Sequence, residues 1–337
     1  MTPKISIITP TYNQGQYIED CIKSVIAQTY SEWEMIIVDD HTQDDTRNIV
    51  HQYMQHEKRI TYIQHTHNWG IPKLKDTYNQ ALKQAKGEYI AILEGDDMWP
   101  RNKLEVQLKA FDSQKVVLAY GDWVIIDNTN RNYYIGYYKK PILQLNNSPV
   151  GSILGLFAKL DFSIIPVTMM IRKSSLDEIG GFQTRPEYPF IDVPTIIALA
   201  QVGEFKYQQY ILGYYRKHSE STWYLYAKNT KANFRHEIRD ILNKYEIRVD
   251  AEEQDKIINL KSEGRTDSIF LHSIVLSGEK ESRILAKKIV RMKKGSNKIK
   301  LIAFLWLCSP KLADITLRIM FLIQYMRYIC FRTKSHE

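Results

Sequence analysis

Two adjacent carboxylates, Asp96 and Asp97, follow the apolar run Tyr89-Ile90-Ala91-Ile92-Leu93 and the dipeptide Glu94-Gly95. Like charges at the end of a buried strand repel unless a cation neutralises them, and hard carboxylate oxygens select Mg²⁺ or Mn²⁺ over zinc. Such an ion is commonly held by one or two carboxylates plus substrate phosphates, so the turn predicts a metal site that handles a nucleotide. Gly95 permits a tight backbone there. The bland alternative is an Asx turn or helix cap ahead of Trp99-Pro100-Arg101. His65 and His67 alternate along an expected strand, but no third ligand is spaced to complete a zinc site, and both read as structural. Cys21, Cys308 and Cys330 are odd in number and scattered, which suggests neither a disulfide framework nor a thiolate metal centre and fits a reducing cytoplasm.

The elements that must position these groups alternate between strand and helix. Ile5 to Ile8, Met35 to Val38, Ile60 to Ile63 and Tyr89 to Leu93 are short β-rich runs. Between them, Tyr17, Ile18, Cys21, Ile22, Val25 and Ile26 recur at helical spacing, as do Ile49, Val50, Tyr53 and Met54, and a third helix is expected over about 72–85. This order implies a mostly parallel sheet covered by helices on both faces, with ligands bound beyond the carboxyl ends of the strands. Three polar clusters then face one crevice: Thr9-Pro10-Thr11-Tyr12-Asn13, Asp39-Asp40-His41-Thr42 and Glu94-Gly95-Asp96-Asp97. Thr11 and Asn13 also read as caps for the helix that follows, and Asp39 as a structural turn residue. Strands over 116–120, 123–126 and 210–215 and a helix over 195–201 extend the same domain to about residue 225, and 226–337 reads as a basic, helical C-terminal region.

With 337 residues, 44% of them apolar and 12% aromatic, the chain is globular. Its net charge of +8 is unevenly placed: from Glu281 onward thirteen Lys or Arg stand against three Asp or Glu, so the tail carries +10 and residues 1–280 carry −2. A near-neutral body argues against a nucleic-acid groove and points to an anionic surface met at one end. In the tail, Leu301 to Leu307 and Ile319 to Ile323 are apolar clusters interrupted by Pro310, Lys311, Asp314 and Arg318, preceded by Lys287, Lys288, Arg291, Lys293 and Lys294. No apolar stretch reaches the ~18 residues of a spanning helix. These helices either lie on an anionic leaflet or pack on the N-terminal domain or in a dimer. The chain enters its first strand without a signal-peptide pattern, so a cytoplasmic location is expected, with peripheral contact at the inner face of the cell membrane.

Six segments in order carry a family resemblance: Ser6-Ile7-Ile8-Thr9-Pro10-Thr11-Tyr12-Asn13; Ile36-Ile37-Val38-Asp39-Asp40; Asn79-Gln80-Ala81 with Lys86-Gly87-Glu88-Tyr89-Ile90; Leu93-Glu94-Gly95-Asp96-Asp97-Met98-Trp99; Ile179-Gly180-Gly181-Phe182; and Tyr215-Arg216-Lys217-His218. Over roughly residues 3–222 the chain resembles family 2 of the glycosyltransferases, inverting enzymes with the Rossmann-like GT-A fold. The resemblance implies that Thr9, Pro10 and Tyr12 line the base pocket, that Asp40 accepts a hydrogen bond from the uracil edge, and that Lys73 lies near the nucleotide. It implies further that Asp96 holds the ribose, Asp97 binds the Mn²⁺ or Mg²⁺, and His218 reaches the metal or diphosphate from a mobile loop. Glu94 stands where many relatives have aspartate.

An inverting transfer needs one general base for the acceptor hydroxyl. By resemblance this is Asp192, with Glu187 as the fallback. The segment Phe190-Ile191-Asp192-Val193-Pro194-Thr195 departs from the Glu-Asp pair usual in the family, and an aspartate before a Pro-started helix is also an N-cap signal. The expected activity is metal-dependent transfer of a hexosyl or N-acetylhexosaminyl group from a UDP-sugar to a glycan or lipid-linked acceptor in surface polysaccharide synthesis. A catalytically inactive nucleotide-sugar binder of the same fold is the alternative. A nucleotidyltransferase is disfavoured, because the turn after the first strand carries the single glycine Gly15.

Overall fold

The computed structural model describes residues 3–138, 140, 142–158, 163–186, 188–222, 226, 241–242, 286–287, 290 and 297–334. Glu187 and the basic residues Lys288, Arg291, Lys293 and Lys294 lie outside them. The chain divides into two compact units, the first built from Met1–Trp123, Tyr137–Tyr215 and Phe234–Val249, the second from Val124–Gly136, Arg216–Asn233 and Asp250–Glu337.

The strands are β1 (Ile5–Thr11), β2 (Trp33–Asp39), β3 (Ile60–Gln64), β4 (Tyr89–Ile92), β5 (Val116–Ile126), β6 (Asn132–Gly136), β7 (Met170–Arg172) and β8 (Glu204–Arg216). Their order is β3-β2-β1-β4-β7-β5-β6, and β8 also pairs with β5. The first four are mutually parallel, and β7 joins antiparallel to both β4 and β5. Alternation along the buried strands supplies both faces. Ile8, Ile36, Val38, Ile90 and Ile92 enter one core cluster, while Ile5, Ile7, Met35, Ile37, Tyr89 and Ala91 enter the other. This is what a sheet covered on both sides requires. On the second face lies α1 (Ile18–Ile26), whose Ile18, Cys21, Ile22 and Val25 form a buried stripe. On the first lie α3 (Leu74–Gln84), through Tyr78, Ala81 and Leu82, and α8 (Asp192–Val202), through Val193, Ile196, Ile197 and Leu199. Among the described residues this unit also holds α2 (Thr46–His56), α4 (Lys103–Leu108), α5 (Ile142–Leu145), α6 (Leu154–Ala158) and α7 (Lys173–Glu178).

The expected α/β class with a helix-covered sheet forms, and the described C-terminal residues 297–334 are helical, but the sheet is mixed: parallel over β1 to β4 and antiparallel where β7 joins β4 and β5. Three local readings change. The runs 116–120 and 123–126 are one strand, because Gly121 lets β8 cross closely: a Cβ there would stand 2.6 Å from the Gln208 carbonyl oxygen. His65 and His67 lie beyond the end of β3, one buried and the other exposed, so they share no face. Thr11 and Asn13 do not cap α1, whose N-cap is Tyr17. Instead Asn13, at φ 50°, accepts from the Gln43 amide at 2.8 Å, and Thr42, Thr46 and Asp44 accept from the amides of Asn13, Gln14 and Gly15.

Within the second unit, α10 (Pro310–Lys334) follows α9 (Asn297–Cys308) and packs on β6, where Gln324 Nε2 donates to the Ile135 carbonyl at 2.6 Å. Arg216 is fully buried and donates to the Asp127 carbonyl at 2.7 Å.

Candidate active site

Strand register brings the three polar clusters together. Thr11 pairs with Asp39 at the carboxyl ends of β1 and β2, the Asp40 amide donates to the Thr11 carbonyl at 2.9 Å, and the Gly95 amide donates to the Pro10 carbonyl at 3.1 Å. Gly95 is required for this approach: a Cβ would lie 2.4 Å from Gln14 Oε1 and 2.8 Å from Thr11 Oγ1. Of the residues expected around the base, Thr9 is fully buried, Pro10 half-buried and Tyr12 exposed, so Pro10 and Tyr12 are the two that reach solvent.

Asp39 and Asp40 have separate tasks. Asp39 is buried, accepts from the Thr42 amide at 2.9 Å and from the Tyr62 hydroxyl, and so fixes the turn. Asp40 accepts from the Trp69 amide at 2.7 Å on Oδ1, from the Gly70 amide at 2.7 Å on Oδ2, and from His65 Nδ1 at 2.8 Å. The His65 ring stacks on Trp69 with centroids 3.7 Å apart, and Lys73 Nζ lies 5.5 Å from the same indole. Asp40, Trp69 and Lys73 therefore form one edge of the crevice.

The other edge is acidic. Glu94 is pushed up to about 7 by burial and then by the charges of Asp96 and Asp192, against the opposing pull of the Tyr78 hydroxyl, which donates to Glu94 Oε1 at 2.8 Å. Burial also raises Asp192, despite hydrogen bonds from the Val193 amide and the Tyr188 side chain. Its Oδ1 is shut from solvent without a hydrogen-bond partner. Tyr215 rises well above the ordinary phenol range through burial and then through the charges of Asp97, Glu94, Asp96 and Asp192. Asp97 itself is almost fully buried.

Asp192 opens α8 as its first helical residue, after the cap Ile191. Its position is set from two sides. Asn79 on α3 clamps the backbone of Phe182, donating to its carbonyl at 3.0 Å and accepting from its amide at 2.8 Å. Thr195 Oγ1 on α8 accepts from the Gln183 amide at 2.9 Å. Gly181, at φ 89°, makes the turn possible, since a Cβ there would meet Asn79 Oδ1 at 2.4 Å. Tyr78, Tyr215 and His65 were not singled out as site residues by sequence reading. Each sits at an element end or on a core stripe, where its type alone signals packing.

The acidic set suits a hard divalent ion, because positive charge would relieve Glu94, whose carboxyl is raised by burial and by the charges of Asp96 and Asp192. Among the described residues no group of three His, Cys, Asp or Glu is arranged to hold a metal. His218 belongs to the second unit, where it is buried and its amide donates to Ser221 Oγ at 3.2 Å.

A Rossmann-like sheet with an acidic turn beyond the ends of its parallel strands is the architecture of the GT-A glycosyltransferases. Residues 6–180 match glycosyl transferase family 2, and the chain belongs to that family and is a glycosyltransferase. Among its relatives, TuaG of Bacillus subtilis, named for teichuronic acid biosynthesis, is 29% identical over 69% of this chain and 90% of its own length. The Escherichia coli glucosyltransferase WfgD, named for transfer from UDP-Glc to GlcNAc-diphosphoundecaprenol, is 36% identical over 41% of this chain and 51% of its own length. The crystal structure of Staphylococcus aureus TarS residues 1–349 with UDP-GlcNAc aligns over 96% of this chain and 92% of that one, with TM-score 0.53 and 20% identity. The mannosyltransferase PcManGT of Pyrobaculum calidifontis, in complex with GDP-Man and Mn²⁺, aligns over 96% and 88%, with TM-score 0.50 and 15% identity.

Proposed function

We propose that this glycosyltransferase moves a sugar, with inversion, from a UDP-sugar to a hydroxyl of a glycan or lipid-linked acceptor in surface polysaccharide synthesis, at the cytoplasmic face of the membrane. The observation that carries the reading is Asp192: a carboxylate with raised pKa and one buried, unpartnered oxygen, electrostatically linked to the acidic turn. A general base in a dry site needs that combination. Asp192 takes the proton of the acceptor hydroxyl as its oxygen bonds to the anomeric carbon, and the bond from that carbon to the diphosphate oxygen breaks, releasing UDP.

Pro10 and Tyr12 border the base, with Thr9 behind them, while Asp40 holds the 65–70 turn against it and Lys73 meets the phosphates. Asp96 is assigned to the ribose. Asp97 is assigned to Mn²⁺ or Mg²⁺, which when bound would stabilise the negative charge of the departing diphosphate. The UDP-Glc donor in the name of WfgD and the UDP-GlcNAc bound to TarS support a UDP-sugar, and the Mn²⁺ of PcManGT supports a divalent ion. The lipid-linked acceptor in WfgD's name supports the acceptor class.

The test is UDP release from a panel of UDP-sugars with and without Mn²⁺. Release with one donor that needs the cation, and is lost in Asp97→Ala and Asp192→Asn, is the expected result. UDP binding with no turnover on any donor and acceptor would instead identify an inactive binder.

A further inference from the structure

The C-terminal helix α10 has two apolar faces, and the fold uses one. Leu317 and Tyr328 are buried and Gln324 is bonded to β6, so this row is the packed side. At 3.6 residues per turn the opposite side carries Ile315, Ile319, Leu322, Met326 and Ile329, which are between 39% and 60% exposed. Leu301 and Phe304 of α9 are similarly uncovered. The exposed residues Arg318 and Arg327 flank the α10 stripe on its two sides. Residues 297–334 contain seven Lys or Arg and one acid, Asp314. Among the described residues no helix is long and apolar enough to cross a membrane.

We infer that this stripe is a docking surface for an anionic phospholipid bilayer, on which α10 lies in the plane of the headgroups. The inference deepens the reading of a membrane-borne acceptor and rests on it for its purpose. Charge chooses the occupant. A two-fold contact between copies of this chain sets the same patch against itself, and residues 297–334 of each copy would bring seven Lys or Arg and one acid to it. An anionic leaflet neutralises the same charges while the stripe enters the acyl boundary, and the arginine stems extend along the apolar face with their heads in the headgroup layer.

The experiment is co-sedimentation of the full chain with vesicles of phosphatidylcholine alone or of equal parts phosphatidylcholine and phosphatidylglycerol. Wild type is expected to bind the mixed vesicles at least about tenfold more strongly, with binding weakened by salt. Leu322→Glu with Met326→Glu, and independently Arg318→Glu with Arg327→Glu, are expected to abolish that preference while UDP release in solution stays at the wild-type level. Equal binding to both vesicle types, or none to either, overturns the inference. So does a dimer in vesicle-free buffer that the Leu322→Glu, Met326→Glu variant dissociates. Vesicle binding by a wild-type chain that releases no UDP would leave the docking surface standing and remove the transferase reading instead.

Discussion

His65 Nδ1 stands 2.8 Å from Asp40 Oδ1, and the two remaining donors to that carboxylate are the amides of Trp69 and Gly70. Asp40 therefore organises the 65–70 loop. Because His65 also reaches Gln80 Oε1 at 2.7 Å and stacks on Trp69, it ties the loop to α3. Replacing it removes a charge-assisted bond and the stack together. His65→Ala is expected to weaken UDP binding about tenfold, with a smaller effect on turnover at saturating donor. Calorimetric titration with UDP beside steady-state kinetics checks this, and an unchanged dissociation constant would refute it.

Asp192→Asn keeps the shape of the side chain and removes its basicity. Turnover should fall by about 10²- to 10⁴-fold, with UDP affinity unchanged. The folded pKa lies above the ordinary 3.8 through burial, so the active, deprotonated form is lost as pH falls through that raised value. The acid limb of the wild-type rate profile should accordingly sit above the usual aspartate range.

Glu94 gives a pH dependence of stability. Its folded value of about 7 exceeds the ordinary 4.5, so protonation stabilises the folded state fully below 4.5, and that contribution is lost as pH rises through about 7. Thermal unfolding of the cation-free protein should show a falling Tm across this window, flattened in Glu94→Gln. Mn²⁺ should raise Tm more on the alkaline side, where the carboxylates are all charged. A Tm that rises between the two pH values would contradict the assignment.

Gly95→Ala places a methyl 2.8 Å from Thr11 Oγ1 on a buried strand end that has little room to move. The acidic turn must shift instead, carrying Asp96 and Asp97 with it. The Mn²⁺ concentration needed for half-maximal activity is expected to rise about tenfold or more. Titration with metal at fixed donor measures it.

Asn79→Ala leaves the amide and carbonyl of Phe182 without their side-chain partner and unclamps the turn before Asp192. A loss of about 1–3 kcal/mol per group left unsatisfied is the expected scale, read from urea unfolding. Turnover should drop further than donor affinity, since the clamp supports the turn before Asp192, the proposed base, rather than the 65–70 loop.

The α/β alternation, the crevice beyond the strand ends and the acidic turn were legible along the chain because each is encoded locally. Ile5 to Ile8 and Tyr89 to Leu93 are apolar on both faces, and the polar residues that end them follow within a few positions. Asn79-Gln80-Ala81 and Gly180-Gly181-Phe182 were visible as separate pieces. That the first clamps the second is a relation across 103 residues, which spacing cannot express.

What the sequence by itself determined is the inventory at the crevice: carboxylates at 94, 96 and 97, an aspartate ahead of a helix, and a basic tail. Only the tertiary structure decided how these act on one another. Desolvation and Coulomb repulsion depend on distance through space, so the rise of Glu94 to about 7, the upward shift of Tyr215 and the buried oxygen of Asp192 exist only once β4, α8 and β8 converge. The same holds for α10, whose heptad-like apolar spacing leaves open which face packs. Contact with β6 selects one, and the other remains available to a surface of opposite charge.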